Sequence, residues 1–228
     1  MVDAGLNCKT LCKLMETEGI DPKSLKALLL THEHADHICG ARVLAKKFGT
    51  PMYCTVGTYE NFDHGNADFR PVASGSSFEV CGMTATALPT SHDVVDPTAF
   101  SFLRDGKTVS IITDTGILTP QCKEALRVSD LAIIESNYDE QMLKDNPLYT
   151  PALKRRIRSD HGHLCNVDTG KYIADTISPR QRKIFLAHLS RKNNTPDIAR
   201  ETVSKYSGIP RAKIDCLEFK GDTRSIRL

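Results

Sequence analysis

The sequence lacks the features that would place the protein in a membrane or among secreted disulfide-rich domains. Its start, Met1 to Gly5, has neither a basic stretch nor an apolar core, so no signal peptide is visible. An apolar run such as Ala27 to Leu30 is far too short to span a bilayer. The eight cysteines are scattered and form no CxxC pair, unlike those of a small disulfide scaffold. We therefore expect a reduced, cytoplasmic protein with no membrane partner.

Strong net charge and compositional bias are also missing. The formal net charge is +2, which is too close to zero to indicate a polyanionic partner, so any such argument must come from local charge. Hydrophobic residues make up 40% and charged residues 25% of the chain, which is ordinary for a globular protein and argues against disorder. No repeat, low-complexity tract or linker interrupts the 228 residues. The simplest prediction is one domain over residues 1–228, with the oligomeric state left open.

Hydrophobic periodicity predicts a β-rich first half followed by alternating helices and strands. Helices are predicted at Cys8–Glu18, Ile38–Phe48, Thr119–Val128, Pro151–Arg158, Val167–Ile177 and Pro196–Tyr206. Strands are predicted at Ala27–Thr31, Met52–Thr55, Ser77–Val80, Thr84–Leu88, Ala99–Leu103, Val109–Ile112, Leu131–Glu135, Ile184–Ala187 and Ile214–Leu217. Two sheets packed face to face with helices outside would satisfy this order, so the predicted fold class is α/β (α+β).

The strongest chemical signal is the segment from Thr31 to His37, which reads Thr-His-Glu-His-Ala-Asp-His. It places four potential metal ligands within six residues, directly after an apolar strand and before a helix. A strand end is rigid, and the loop after it can turn several side chains to one point. Imidazole and carboxylate together suit zinc, iron or manganese. The alternative, a solvated polar loop, explains poorly why the cluster follows a buried strand.

This cluster matches the HxHxDH motif of the metallo-β-lactamase superfamily position by position. The matching residues are His32, His34, Asp36 and His37. The chain therefore resembles that superfamily, which implies an αββα sandwich, here apparently without the first N-terminal strands. The resemblance also implies three later ligands, each after a strand, and His92, Asp114 and His188 occur in that order.

The resemblance implies a specific site for two divalent metal ions, zinc or manganese. Its ligand sets are His32, His34 and His92 for one ion, Asp36, His37 and His188 for the other, and Asp114 as the bridge. Asp3 resembles an early aspartate of the superfamily that supports the ligands from behind. A hydroxide shared by the two ions would be the nucleophile, with the pKa of bound water lowered toward about 7. In this scheme Asp36 and Asp114 are also catalytic residues.

The superfamily motif does not name the substrate, because β-lactams, thioesters, lactones and phosphodiesters share it. Other segments resemble the YycJ/WalJ-type subfamily: Ser91–Asp93, Thr113–Gly116, Glu135–Asp139, Leu153–Ile157, Gly162–Asn166 and His188–Asn194. Members of that subfamily act as 5′-to-3′ exonucleases on DNA, so the resemblance implies phosphodiester hydrolysis with DNA as the partner. One departure is Cys165, where relatives commonly carry Ser.

A local concentration of positive charge gives softer support for DNA. The basic run is Lys154, Arg155, Arg156 and Arg158. Arginine forks match phosphate oxygens, and a basic run beside a metal site would follow a nucleic-acid backbone, although such runs are usually solvated helix faces. His163 could donate to a phosphate oxygen or protonate the leaving group as a catalytic residue, or only orient its neighbours. His161 and His64 are expected at the surface.

Two other classes of function remain open. A small-molecule hydrolase, such as a lactonase, thioesterase or β-lactamase-like enzyme, would use the same ligands. A non-catalytic regulatory protein would use the metals only for structure. The basic run and the stretch Gly162–Asn166 count against the first, and the complete ligand set counts against the second. An assay that compares duplex DNA, RNA and nitrocefin would separate the three.

Overall fold

The structure is a computed structural model that describes residues 1–176 and 183–217. The chain divides into two units, which we name unit 1 (Met1–Leu88 and Val94–Thr98) and unit 2 (Pro89–Asp93 and Ala99–Leu228). Both contain helices and strands, so the predicted mixed α/β class is confirmed. The expectation of one domain over residues 1–228 stays a prediction.

Unit 1 is built on a small parallel sheet. Its strands are β1 (Leu28–Leu29), β2 (Met52–Cys54) and β3 (Phe69–Pro71), paired in that order, followed by the antiparallel hairpin β4 (Ser77–Val80) and β5 (Met83–Pro89). Its helices are α1 (Cys8–Thr17), α2 (Ala35–Ile38), α3 (Ala41–Phe48) and α4 (Val56–Glu60). Leu28, Leu44 and Met52 are fully buried in its core, which gives the histidine segment a rigid base.

The predicted helix over Ile38–Phe48 is confirmed as α3, but it begins at Ala41, because the chain breaks at Gly40 between α2 and α3. At the break, Gly40 donates a backbone hydrogen bond of 2.7 Å to the carbonyl of Ala4. A Cβ at Gly40 would lie 2.2 Å from the carbonyl oxygen of Leu6, and one at Gly5 would lie 1.6 Å from that of Asp36. Only glycine permits such an approach. The N-terminal segment therefore lies directly against the predicted ligand loop.

Unit 2 is a mainly parallel sheet with helical crossovers. Its strands are β6 (Thr98–Arg104), β7 (Lys107–Ile112), β8 (Leu131–Glu135), β9 (Lys183–Ala187) and β10 (Ile214–Cys216), in the order β10-β9-β8-β7-β6. Only the β6–β7 pair is antiparallel among the described pairs of this unit. Its helices are α5 (Pro120–Val128), α6 (Glu140–Asp145), α7 (Pro151–Ile157), α8 (Asn166–Thr176) and α9 (Pro196–Ser207). The parallel strands are largely buried, as is usual for strands covered by helices.

Most predicted elements are confirmed to within a few residues. Sequence periodicity missed β3, α4 and α6, which are short and carry few apolar residues. The predicted helix over Val167–Ile177 corresponds to α8, and its last residue, Ile177, lies outside the described residues. Within residues 1–176 and 183–217, no helix has the length and apolar character that crossing a membrane requires.

Candidate metal centre

The three histidines of the motif in unit 1 lie close together. The Nε2 atom of His32 is 3.0 Å from the Nδ1 atom of His34, and the ring centroids of His32 and His37 are 4.1 Å apart. His32 and His37 are buried and His34 is half-buried, whereas Asp36 is exposed in the first turn of α2. The loop after β1 therefore gathers three imidazoles, and their role as metal ligands stays a prediction.

Asp3 holds this loop in place. Its Oδ1 accepts a hydrogen bond of 2.8 Å from the amide of Thr31, and its Oδ2 accepts one of 2.9 Å from the Thr31 hydroxyl. The same Oδ2 lies 2.8 Å from Nδ1 of His37. Asp3 has a φ of 55°, which non-glycine residues rarely adopt. A carboxylate on Nδ1 orients the ring as the partners of metal-bound histidines do.

Three side chains of unit 2 meet at the carboxyl ends of neighbouring parallel strands. Asp114 follows β7 by two residues, Glu135 is the last residue of β8, and His188 comes directly after β9. Parallel strands end at the same edge of a sheet, which is where open α/β sheets bind their ligands. The topology of unit 2 thus brings together residues that are far apart in the sequence.

Three imidazoles surround the carboxylate of Asp114. Its Oδ1 is 3.4 Å from Nδ1 of His188, and it is 3.9 Å from both Nε2 of His92 and Nδ1 of His163. Asp114 and His92 are only 3% and 6% exposed. Asp114 and His188 also adopt positive φ angles, 55° and 57°. Backbone strain of this kind clusters at functional sites, where the surroundings enforce it.

Glu135 is a site residue whose role sequence reasoning missed. Its side chain is fully buried, its Oε1 lies 2.8 Å from Nδ1 of both His163 and His188, and its Oε2 accepts a 3.0 Å hydrogen bond from the amide of Thr115. The donor atoms of Asp114, Glu135, His163 and His188 all lie within 4.8 Å of one another. A signal was present: an acidic residue that ends a buried apolar strand needs charged or hydrogen-bonding partners.

The protonation states of unit 2 follow from these contacts. Burial by itself would raise the pKa of Glu135, but His163 and His188 lower it below its usual value. Burial would likewise lower the pKa of His163, but Glu135 and then Asp114 raise it overall. The pKa of His92 is lowered, chiefly by burial. A neutral imidazole is the form that can bind a metal ion, and the lowered pKa favours that form at His92.

The loop that follows α7 fixes His92 and carries His163. Nδ1 of His92 lies 3.1 Å from the carbonyl oxygen of Gly162, which accepts a hydrogen bond from it and leaves Nε2 as the nitrogen that can ligate. A Cβ at Gly162 would lie 2.2 Å from the carbonyl oxygen of Ile157, so glycine is required there. His161 is exposed, as expected, and its Nδ1 lies 3.1 Å from the Ser91 hydroxyl.

The basic run lies on α7 and at its end, but most of its charges have partners in unit 2. The pairs are Arg156 with Asp93, Arg158 with Glu140 at 2.9 Å, and Lys154 with the carbonyl oxygen of Lys144 at 2.6 Å. Within the part of the chain that the structure describes, Arg155 is the member without a partner. Sequence alone could not show this, because the acidic partners are distant along the chain.

Comparison with known proteins decides the family. Residues 1–188 match the family model described as the Beta-lactamase superfamily domain. The chain belongs to the metallo-β-lactamase superfamily. It is 35% identical over 210 residues to Exodeoxyribonuclease YycJ of Bacillus anthracis, covering 90% of this chain and 79% of that protein. It is 34% identical over 210 residues to Exodeoxyribonuclease WalJ of Streptococcus pneumoniae serotype 2 (strain D39), covering 89% of this chain and 78% of that protein.

The predicted resemblance is therefore confirmed, and the chain belongs to the YycJ/WalJ family within the superfamily. Among solved structures, the metallo-β-lactamase fold protein YhfI from Bacillus subtilis has a TM-score of 0.71 to this chain. The two proteins are 21% identical, and the aligned region covers 95% of this chain and 83% of YhfI. This likeness confirms the predicted fold.

The superfamily fold implies divalent metal binding, and both the donor group around Asp114 in unit 2 and the three imidazoles of unit 1 fit it. Neutral imidazoles and carboxylates are ligands that zinc and manganese accept. In each unit a carboxylate or carbonyl engages Nδ1 of a histidine, as happens behind metal-bound imidazoles. The chemical character of the donors therefore agrees with membership of a superfamily of metallo-hydrolases.

Proposed function

We propose that this protein is a metal-dependent exodeoxyribonuclease that hydrolyses DNA phosphodiester bonds in the 5′-to-3′ direction. The observation that carries the proposal is the 35% identity, over 90% of the chain, to a relative named as an exodeoxyribonuclease. Hydrolysis as the general reaction follows from the superfamily. That the substrate is DNA and that hydrolysis runs in the 5′-to-3′ direction is what we propose here.

The proposed ligands of two divalent cations, zinc or manganese, are His32, His34, Asp36, His37, His92, Asp114 and His188. Support comes from the imidazole contacts of the loop in unit 1 and from the donors around Asp114 in unit 2. When bound, such cations polarise the phosphate and supply a nucleophile at neutral pH. The protein itself contributes orientation, because Asp3 and Glu135 hold the histidine rings that would ligate.

His163 is the proposed proton donor to the leaving oxygen. Its Nδ1 faces Glu135, so Nε2 is the nitrogen that can carry a proton to the departing 3′ oxygen of the cut bond. The buried carboxylate of Glu135 stabilises the protonated ring, which is the form that a general acid needs before it acts. Asp36 and Asp114 serve as ligands in this scheme.

The deciding experiment compares three substrates with the protein loaded with manganese or zinc. We expect release of 5′-labelled mononucleotides from duplex DNA, slower reaction with RNA, and no hydrolysis of nitrocefin. Asp114→Asn should abolish cleavage, and asparagine tolerates the positive φ at this position, so the backbone is kept. Nitrocefin hydrolysis without DNA cleavage would support a small-molecule hydrolase. Metal binding without either reaction would support a regulatory protein.

The proposed DNA contacts are Lys154, Arg155, Arg156 and Arg158. Arg155 gives the cleanest test, because its substitution breaks no ion pair within the described residues. Arg155→Ala should weaken DNA binding and reduce the salt dependence of log Kd by about one, the share of one phosphate contact. Arg127→Ala, on α5, is the matched control because it also removes one exposed arginine. If the two variants gave equal slopes of log Kd against log salt concentration, the basic run would be a solvated helix face and not a DNA contact.

A further inference from the structure

Unit 1 contains a cavity of about 540 Å³ beside α3, which the proposed hydrolysis does not use. Its lining includes Arg42, Lys46, Thr50, His64, Asn66 and Asp68, none of which is a proposed metal ligand. Sites for small molecules typically have volumes of about 300–1,000 Å³, so the cavity is large enough for a mononucleotide. The lining has both cationic and hydrogen-bonding side chains, which favours a polar ligand.

The cations of the cavity favour a ligand with a negative charge. Arg42 pairs with Asp63 through one guanidinium nitrogen, so its other N–H groups can still donate. Lys46, which lies one turn further along α3, is exposed and has no ion-pair partner among the described residues. Asp68 is already neutralised by Arg70 at 2.9 Å. The unmatched charge in the cavity is therefore positive, and phosphate is the anion that such a pair of cations binds well.

The aromatic side chains beside the cavity favour a ligand with a planar ring. Tyr59 stacks on Phe69 and on His64, each at a centroid distance of 3.7 Å. Two rings at that distance must lie on opposite faces of Tyr59, so His64 ends the stack, and it also lines the cavity. Its Nδ1 is buried and has no hydrogen-bond partner among the described residues. A buried polar atom without a partner is costly, and a ligand group would remove that cost.

We propose that this cavity binds a deoxynucleoside monophosphate, with the phosphate on Lys46 and Arg42 and the base on His64. The choice of a nucleotide among ring-bearing phosphates rests on the proposed function, because mononucleotides are the products of an exodeoxyribonuclease. Base stacking on aromatic rings and contact of cationic side chains with phosphate are the two interactions that proteins combine when they bind single-stranded nucleic acid, and a mononucleotide offers the same two groups. The cavity would therefore hold product at a site that none of the proposed metal ligands lines.

The test is photo-crosslinking of the full-length, metal-loaded protein with 8-azido-dAMP, followed by peptide mass spectrometry. We expect labelling within residues 59–69 and protection by dAMP. Lys46→Ala should lower this labelling about tenfold at subsaturating probe, the effect of losing one charge-assisted contact. Lys47→Ala is the matched control, because this neighbouring lysine lies over Phe48 and does not line the cavity. His64→Phe keeps a ring in the stack but removes Nδ1, and should lower labelling less.

Three results would overturn the proposal: labelling confined to other segments, equal labelling of Lys46→Ala and Lys47→Ala, or protection by inorganic phosphate as strong as that by dAMP. The last would show that the ring makes no contact. The DNA cleavage assay keeps the two proposals distinguishable. If the protein cleaves DNA but is not labelled within residues 59–69, only the proposal about the cavity is refuted. If the protein is labelled there but does not cleave DNA, the nucleotide site is supported and the proposed function is refuted.

Discussion

In each unit one carboxylate contacts Nδ1 of at least one histidine, and the two carboxylates differ in depth and in the number of groups they contact. Asp3 of unit 1 is 18% exposed at its side chain and engages one histidine and Thr31. Glu135 of unit 2 is fully buried and engages two histidines and the amide of Thr115. A buried carboxylate with several partners leaves more groups unmatched when it is lost. Unit 2 should therefore depend on Glu135 more than unit 1 depends on Asp3.

The largest expected effect comes from Glu135→Ala. Removal of one partner from a buried charged cluster costs about 3–5 kcal/mol, because His163 and His188 lose their shared acceptor. The measurement is urea unfolding of the protein in chelator, so that metal binding does not add to stability. Glu124→Ala removes an exposed glutamate that pairs with Arg127, and its unfolding curve should match that of the wild type. Equal midpoints for the two variants would contradict the central role of Glu135.

A smaller effect is expected from Asp3→Asn. Asparagine tolerates the positive φ and keeps one acceptor for the amide of Thr31, but it loses the charge that faces His37. Loss of such a partner lowers metal affinity by about 10- to 100-fold in comparable sites. Competition with a chromophoric chelator measures this. Asp21→Asn is the control, since Asp21 is exposed and its side chain accepts a hydrogen bond from the amide of Lys23, far from any proposed ligand along the chain. Unchanged affinity in Asp3→Asn would show that Asp3 does not orient His37.

The two carboxylates also show what could be predicted from the sequence. The histidine loop is local, with its ligands inside one segment after one strand, so the motif alone indicated its position and chemistry. The cluster of unit 2 comes from the ends of three strands and from a distant loop. Only family resemblance singled out His92, Asp114 and His188, and the buried role of Glu135 went unpredicted. Long-range pairing decides which strand ends become neighbours, and no local pattern encodes it.

Close backbone contacts were equally invisible in the sequence. The apolar residues after His37 predict a helix that begins at Ile38, yet the approach of the N-terminal segment at Gly40 separates α2 from α3, so this helix begins at Ala41. The sequence around the basic run does not indicate that its charges are paired, yet Asp93 and Glu140 pair with two of its arginines. In both cases a residue remote in the chain determines the outcome. Sequence reasoning was reliable for elements with strong periodicity and failed where tertiary contacts decide.

The smallest expected effect concerns the reactivity of the cysteine thiols, which differs between the two units. The exposed cysteines, Cys39 and Cys81, both belong to unit 1, whereas Cys122, Cys165 and Cys216 of unit 2 are buried. Burial raises the pKa of the Cys122 thiol to about 11 and that of the Cys165 thiol to about 12. The thiolate is the reactive form, so at pH 8 these two thiols are almost wholly protonated as well as inaccessible.

Titration of the native protein with a disulfide reagent at pH 8 should therefore give two fast thiols, and the remaining six should react only in urea. Cys39→Ser and Cys81→Ser should each remove one fast equivalent without changing the unfolding curve appreciably, because both side chains are exposed. Raising the pH cannot by itself bring the buried thiols into the fast phase, since access as well as ionisation limits them. Peptide mapping assigns the labelled residues. Fast labelling of Cys122 or Cys165 would show that unit 2 opens readily, and it would contradict the expectation that burial protects both thiols.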